Sequence, residues 1–583
     1  MTVPASLALP KVWRGSLVGG LLTDARTQEG QGPSMEAHIR SGTVGEQFAA
    51  PAQSPAGTLV AGRTEADRPD RPTRWHLPSG WPLLPVLIVQ TLLSLRLVRA
   101  DTAFQDEAQA LWAGHLQWAN WLHGTAIPPF PYYFSGAPVI YPPLGALADH
   151  AGGLAGARIL SLVFMLGATT LLWSAARPRY GRRAAFFAAA LFAVLGPTLH
   201  LGAFATYDAL SLFLVALAAW CVLRAGDRGA LPGRMIAAGA ALALANATSY
   251  STILFDVLVL VLAVLAALPR PGDRVALRRA GILLATVIAC LGAGLLIGGS
   301  NYLTGFSRTI LTPVAHTSSP LSVLSSTWYW AGILVVLAAG GVVISAARRE
   351  GRAQTWLLAV LAAAAILGPA EQAWLHTAAL LNEHVGLGAW FAAIAAGYAA
   401  DRFIAAAQAG REQTVISATC VVALACPVYL GAAQSWSFAT SWPNATAFIR
   451  VLRPLADHGS GRLLVEDPSI AKYYLPSGRE WRRWSSTRNI TLPSGASTGN
   501  AAATAGILAA GDAGTFANYI AHGYFSYVAL NFTDTTALDH ALATELHRNP
   551  DYHYRTIAVV PYGTEIKPAG QGTYVIWKYQ PQR

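Results

Sequence analysis

WPLLPVLIVQTLLSLRLV, Trp81–Val98, is an eighteen-residue run carrying one charge, Arg96, and the acidic pair Asp106-Glu107 follows eight residues beyond its end. A helix needs about 20 predominantly apolar residues to cross roughly 30 Å of hydrocarbon, so the run reads as the first of a series of membrane spans. The rest of the chain supports that reading. Of the 583 residues 53% are hydrophobic and only 12% charged, about half the charged share of an ordinary soluble domain.

Working outward, comparable stretches recur to Leu430. The reading places eleven spans near 81–99, 154–176, 184–200, 207–224, 234–250, 252–268, 279–299, 327–347, 353–370, 385–402 and 413–433. They are rich in Ala, Leu, Val and Gly, the composition of helices that satisfy every backbone polar group internally. The fold class expected is therefore an α-helical polytopic membrane bundle of about 11 transmembrane helices.

Arginine placement orients it, because positively charged short loops stay cytoplasmic. Arg177, Arg179, Arg182 and Arg183 fall in one set of alternate loops, with Arg224, Arg228 and Arg234, Arg270, Arg274, Arg278 and Arg279, Arg348, Arg349 and Arg352, and Arg402 and Arg411. The opposite loops, 100–153, 201–206, 300–326 and 371–384, hold only Arg308. Asp106 and Glu107 then face outward, and an odd number of spans exports everything after Gly431.

Three regions follow. Residues 1–78, rich in Gly, Ala, Pro, Ser and Thr without periodicity, read as a disordered cytoplasmic tail, residues 79–433 as the membrane domain, and residues 434–583 as an extracytoplasmic α/β domain. In the last, strand-like and helix-like pieces alternate at Arg462–Val465, Ser469–Tyr474, Tyr527–Asn531, Thr535–Arg548, Thr556–Val560 and Thr573–Tyr579. All four cysteines lie in apolar spans, which leaves the exported domain without a disulfide framework.

The net charge of +11 raises the question of nucleic acid, but most of the positive charge sits in cytoplasmic loops, where membrane topology accounts for it. Neither a Walker loop, nor HExxH, nor CxxC spacing occurs. Energy is then expected from an activated substrate. Side chains able to do chemistry gather in outer segments. Loop 100–153 is long for a connector and carries Trp112, His115, Trp118, Trp121 and His123, then Pro128-Pro129-Phe130-Pro131-Tyr132-Tyr133. Such aromatic stretches suit a membrane interface.

Taken alone, Asp106-Glu107 reads first as acids favoured in the first turn of a helix. Asp208, at the outer mouth of the fourth span, places a second acid on the same side. A transporter or flippase of lipid-linked sugars would show repeats and ionisable groups at mid-membrane. No repeat is evident, and Asp256 is the clearest acid within a span. A non-catalytic scaffold would leave Asp106 dispensable.

Several segments together resemble the GT-C glycosyltransferases of the protein O-mannosyltransferase and aminoarabinose-transferase type. They are Phe104-Gln105-Asp106-Glu107-Ala108, Tyr141-Pro142-Pro143-Leu144, Ala157-Arg158-Ile159-Leu160-Ser161, Tyr207-Asp208-Ala209-Leu210 and the run from Glu383-His384-Val385 to Ala393. The resemblance spans about 80–433, and Glu383 stands where related sequences often carry a basic residue. It implies a bacterial cell-membrane enzyme moving a sugar from a polyprenyl-phosphate donor to an acceptor hydroxyl on a protein, glycan or lipid, with inversion at C1.

On that resemblance Asp106 is the expected general base, and Glu107 orients the acceptor or pairs with Arg158. Arg158, Arg308, His376 and His384 are candidate phosphate contacts. Asp208 is expected to hold the acceptor or, like Asp106, a divalent cation.

Overall fold

The computed structural model describes residues 82–225, 232–267, 273–299, 302–303, 306–307, 318–378, 381–409, 413–439, 441–491, 507–509, 513–548, 553–562 and 572–581. The expected cytoplasmic tail and Arg308 lie outside the described residues. The chain from Ser79 onward forms one compact unit.

Among the described residues twelve helices build the bundle: α1 (Leu83–Val98), α2 (Gln105–His123), α3 (Tyr141–Ala193), α4 (Gly196–Leu201), α5 (Asp208–Leu223), α6 (Pro232–Thr248), α7 (Leu254–Leu265), α8 (Asp273–Gly298), α9 (Pro320–Ala347), α10 (Arg352–Trp374), α11 (Leu381–Ala409) and α12 (Gln413–Ala439). Each of the eleven expected segments falls on helix. Among the described residues four helical stretches, Tyr141–Ala193, Arg274–Gly298, Pro320–Ala347 and Arg352–Trp374, are long and apolar enough by themselves to cross a bilayer.

Helix α1 shows what solvent the bundle is built for. Its outward stripe is Leu84, Ile88, Leu92 and Leu95, while Gln90 and Ser94 are fully buried against the bundle. Gln90 Oε1 there accepts a hydrogen bond from Thr169 Oγ1 at 2.8 Å. Apolar outside and polar inside inverts the pattern of a soluble helix, as expected where hydrocarbon surrounds the helix and small or polar side chains join it to its neighbours. The protein is a multi-pass membrane protein.

Helix α3 is nominally 53 residues long, yet its backbone leaves helical geometry at Gly152, Gly153 and Gly181. Gly153 and Gly181 have φ of +63° and +89°, values that a Cβ disfavours. The breaks fall at the sequence boundaries of the second and third spans.

Past α12, helix α13 (Thr446–Asp457) leads into a five-stranded sheet. Its order is β2 (Trp484–Ser485), β1 (Leu463–Val465), β5 (Tyr527–Leu530), β7 (Thr573–Tyr579), β6 (Tyr554–Pro561). Strands β2, β1 and β5 run parallel, and β7 is antiparallel to β5 and β6. Helices α14 (Ser469–Tyr474), α15 (Ala513–Ala521) and α16 (Thr536–Arg548) complete the expected α/β layer. A small ribbon, β3 (Asn489–Thr491) with β4 (Ile507–Ala509), was not legible in the sequence.

This domain docks on loop 100–153. Trp112 Nε1 donates to the Gly478 carbonyl at 2.9 Å and Trp481 Nε1 to that of Ala126 at 3.1 Å. Tyr473 donates its hydroxyl to Asp149 at 2.7 Å, and the other oxygen of Asp149 lies 2.6 Å from His115 Nε2. On the opposite side α2 presses directly on α3, since a Cβ at Gly114 would lie 1.9 Å from the Pro142 carbonyl oxygen. Gly114→Ala must therefore push α2 off its seat, at a cost of about 1–3 kcal/mol. A thermal unfolding midpoint below wild type is the expected result, whereas an unchanged midpoint would show that this contact can relax freely.

Candidate active site

The site is organised by the first turn of α2. The Phe104 N–H donates to Glu107 Oε2 at 3.3 Å, so the glutamate closes the end of its own helix. The same carboxylate reaches two other segments. Arg158, on α3, donates from Nε to Oε1 at 2.8 Å and from Nη2 to Oε2 at 2.7 Å, and the Ala205 N–H donates to Oε1 at 2.7 Å. Glu107 and Arg158 are both 0% exposed.

Arg158 spends its remaining donors on the α1–α2 connection. Nη1 binds the carbonyls of Val98 and Asp101 at 3.0 and 3.2 Å, and Nη2 that of Thr102 at 3.3 Å. A guanidinium has five N–H groups, and all five are engaged. This corrects the expectation that Arg158 contacts a phosphate, because no donor is left for one. Glu107 likewise cannot reach an acceptor from its buried seat; it is a positioning residue, tying α2 to α3 and to the turn before α5.

That tie brings Asp208 to Asp106. Ala205 stands three positions before Asp208, the first residue of α5, whose side chain bonds with Thr206. The negative charges of Asp208 and Asp106 act on each other, and Glu383, in the first turn of α11, feels both. Three acids thus come together from the first turns of α2, α5 and α11, where helix dipoles favour negative charge. Tyr207 lies within electrostatic reach of all three and shares a hydrogen bond with Ser135.

His384 follows Glu383 and acts electrostatically on Asp208, with Nδ1 at 3.2 Å from Gln372 Nε2 and 3.3 Å from Glu371 Oε2. His376 differs. It is exposed with φ of +52°, its ring against the Trp374 carbonyl at 3.0 Å, and it is not among the electrostatic neighbours of Asp106, Asp208 or Glu383.

The C-terminal domain adds groups that sequence reasoning missed. Asp467, just past the carboxyl end of β1, faces Asp106 electrostatically, and its Oδ1 accepts the Ser469 N–H at 2.9 Å. Lys472, on α14, sits over the Trp112 ring with Nζ 4.7 Å from its centroid. Burial pushes Lys472 down to about 8 against the opposing pull of Asp467, and pushes Asp467 up to about 6. The only sequence signal for either was an acid directly after a short apolar strand, some 360 residues from Asp106.

Asp106 keeps part of its surface accessible although protein packs densely around it. Burial first, then the charges of Asp208 and Asp467, push its carboxyl up to about 7. A carboxyl so placed can accept a proton near neutrality with useful driving force. Among the described residues no three His, Cys, Asp or Glu side chains are grouped to hold a metal ion.

Residues 147–297 match the family model described as dolichyl-phosphate-mannose-protein mannosyltransferase. No curated protein is detectably similar in sequence. Among solved structures, ArnT from Cupriavidus metallidurans bound to undecaprenyl phosphate shares the fold with a TM-score of 0.55 at 16% identity, over 87% of this chain and 100% of that one. The archaeal oligosaccharyltransferase AglB from Archaeoglobus fulgidus, in complex with an inhibitory peptide and a dolichol-phosphate, follows at 0.51 and 15%, over 85% and 75%.

The helical bundle and its sheet-bearing C-terminal domain thus share the fold of these two structures. The family match lies within the bundle, from α3 to α8.

Removing one partner of the Glu107–Arg158 pair should cost about 3–5 kcal/mol, because the other charge stays buried and unpaired. In a double-mutant cycle with Glu107→Gln and Arg158→Met, the double variant should be less destabilised than the sum of the singles. Additive losses would show that the two do not act as a pair.

Proposed function

We propose that this protein transfers a sugar from a polyprenyl-phosphate carrier to an acceptor hydroxyl at the outer face of the membrane, with inversion and with Asp106 as general base. The observation that carries the reading is the Asp106 carboxyl itself, near neutral in affinity, partly accessible, and held beside Asp208 by the Glu107 tie. The acceptor oxygen attacks C1 as its proton passes to Asp106. The bond from C1 to the phosphate oxygen breaks on the opposite face, and the phosphate leaves with the electron pair.

Asp208 and Glu383 are suited to bind sugar or acceptor hydroxyls. The positive ends of α2, α5 and α11, with His384, would temper the charge on the leaving phosphate. Neither Arg308 nor His376 is assigned a part.

The outward orientation rests on the arginine asymmetry. Contact between the C-terminal domain and loop 100–153 supports an even number of crossings between them, because two segments on one side must be separated by an even number. The proposed topology has ten between them. The domain that docks beside Asp106 is also well placed to choose the acceptor, whether protein, glycan or lipid.

With membranes given labelled polyprenyl-phosphate sugar and a panel of acceptors, Asp106→Asn should slow transfer by about 10²–10⁴-fold. Equal transfer by variant and wild type would remove Asp106 as the base, and label crossing the bilayer without transfer would point to a transporter instead. The base must be ionised, so kcat/KM should fall about tenfold per pH unit below about 7 and level off above it. Asp467→Asn deletes a negative neighbour that raises the Asp106 pKa, and should move this acidic limb to lower pH; an unmoved limb would uncouple the two domains.

A further inference from the structure

Helix α13 is strongly two-sided. Phe448, Ile449, Leu452 and Ala456 are buried against the domain core, whereas Thr446, Arg450, Arg453 and Pro454 are exposed. Its polar face borders a cavity of about 380 Å³ lined by Thr102, Thr446, Ile449, Arg450, Arg453 and Tyr474 among others. The opposite wall belongs to the membrane bundle, since Thr102 lies on the connection between α1 and α2.

The lining is cationic and without a carboxylate to neutralise it. Among the described residues Arg450 has no ion-pair or hydrogen-bond partner, and Arg453 has one long contact, from Nη2 to the Tyr474 carbonyl at 3.5 Å. The Tyr474 hydroxyl accepts the Ala103 N–H at 2.8 Å, which leaves its own hydrogen to donate elsewhere. Thr102 is pinned by the Ala445 N–H at 3.0 Å and by Trp442 Nε1, which donates to its carbonyl at 2.8 Å. The walls are therefore held in place across the two halves of the molecule.

The cavity stands at the level of a membrane surface. Thr102 is four positions beyond the end of α1, and Thr446 seven beyond the end of α12. Those helix ends adjoin, with the Arg96 guanidinium 4.6 Å from the centroid of the Trp436 ring. Arg450, without a partner among the described residues, and Arg453, with only its long contact to the Tyr474 carbonyl, leave most of their guanidinium N–H groups free at this level. Paired guanidiniums with a hydroxyl donor match the oxygens of a phosphate ester.

We infer that this cavity is a binding site for the phosphate group of a membrane lipid. Two lipids present that group at this level, a polyprenyl phosphate and an anionic phospholipid such as phosphatidylglycerol. In the site, Arg450 and Arg453 clamp the phosphate and Tyr474 donates a third hydrogen bond, while the acyl or prenyl chain runs down the bundle. The inference does not depend on the chemistry proposed for Asp106.

The test measures binding directly. Full-length protein in detergent micelles is titrated with radiolabelled undecaprenyl phosphate and, separately, with labelled phosphatidylglycerol, comparing wild type with the Arg450→Gln/Arg453→Gln double variant. Both arginines are exposed, so folding should survive, which size-exclusion and thermal unfolding would check. At least a tenfold weaker affinity for one of the lipids is expected, with the lipid affected identifying the source, and partial recovery in Arg450→Lys/Arg453→Lys. Wild-type affinity of the glutamine variant for both lipids would overturn the proposal.

Discussion

The carboxylate of Glu107, with its partner Arg158, holds together three stretches of chain that are distant in sequence. It accepts from the start of its own helix, from Arg158 on α3 and from the turn before α5, and Arg158 passes the connection on to the loop after α1. Such a pair is expensive to desolvate and holds only when every lone pair and N–H is satisfied. Here they are, with Phe204 and Trp442 flanking the guanidinium at 5.5 and 5.9 Å. The acids of the site owe their mutual placement to this buried knot.

That placement explains how adjacent acids come to differ in role. Glu107 is pinned by a full positive charge and sealed from solvent, whereas Asp106, one residue earlier, turns toward Asp208 and Asp467 and is pushed toward neutrality by burial and like charges. One helix turn thus supplies both a fixed anchor and a titratable group. The C-terminal domain takes part in the second, because Asp467 reaches the site from the end of a parallel strand, the usual position for ligand-facing groups in α/β sheets.

How much was legible before folding differs from residue to residue. Segments of the bundle could be read because hydrocarbon imposes length and apolarity on every crossing, and the breaks at Gly153 and Gly181 fell where the apolar runs paused. Asp106, Asp208 and His384 were legible as a resemblance of short motifs in order. Arg158 was legible both as a partner of Glu107 and as a phosphate contact; the structure has the first, and its remaining N–H groups are taken by carbonyls, which nothing in sequence can count. His376 was read as a site residue from its position in an outer loop, and its ring turned instead onto a neighbouring carbonyl.

The sequence by itself determined that this is a multi-pass helical membrane protein with acids at the starts of several helices and an α/β domain after the last of them. These are properties of composition and period, written locally along the chain. Only the tertiary structure decided which acid is buried in a salt bridge and which is left to titrate, and that Asp467, Lys472 and the arginines of α13 come from the far end of the chain to the end of the bundle where α2 begins. Those outcomes depend on desolvation and on hydrogen bonds between segments up to hundreds of residues apart, and neither quantity exists until the chain has folded.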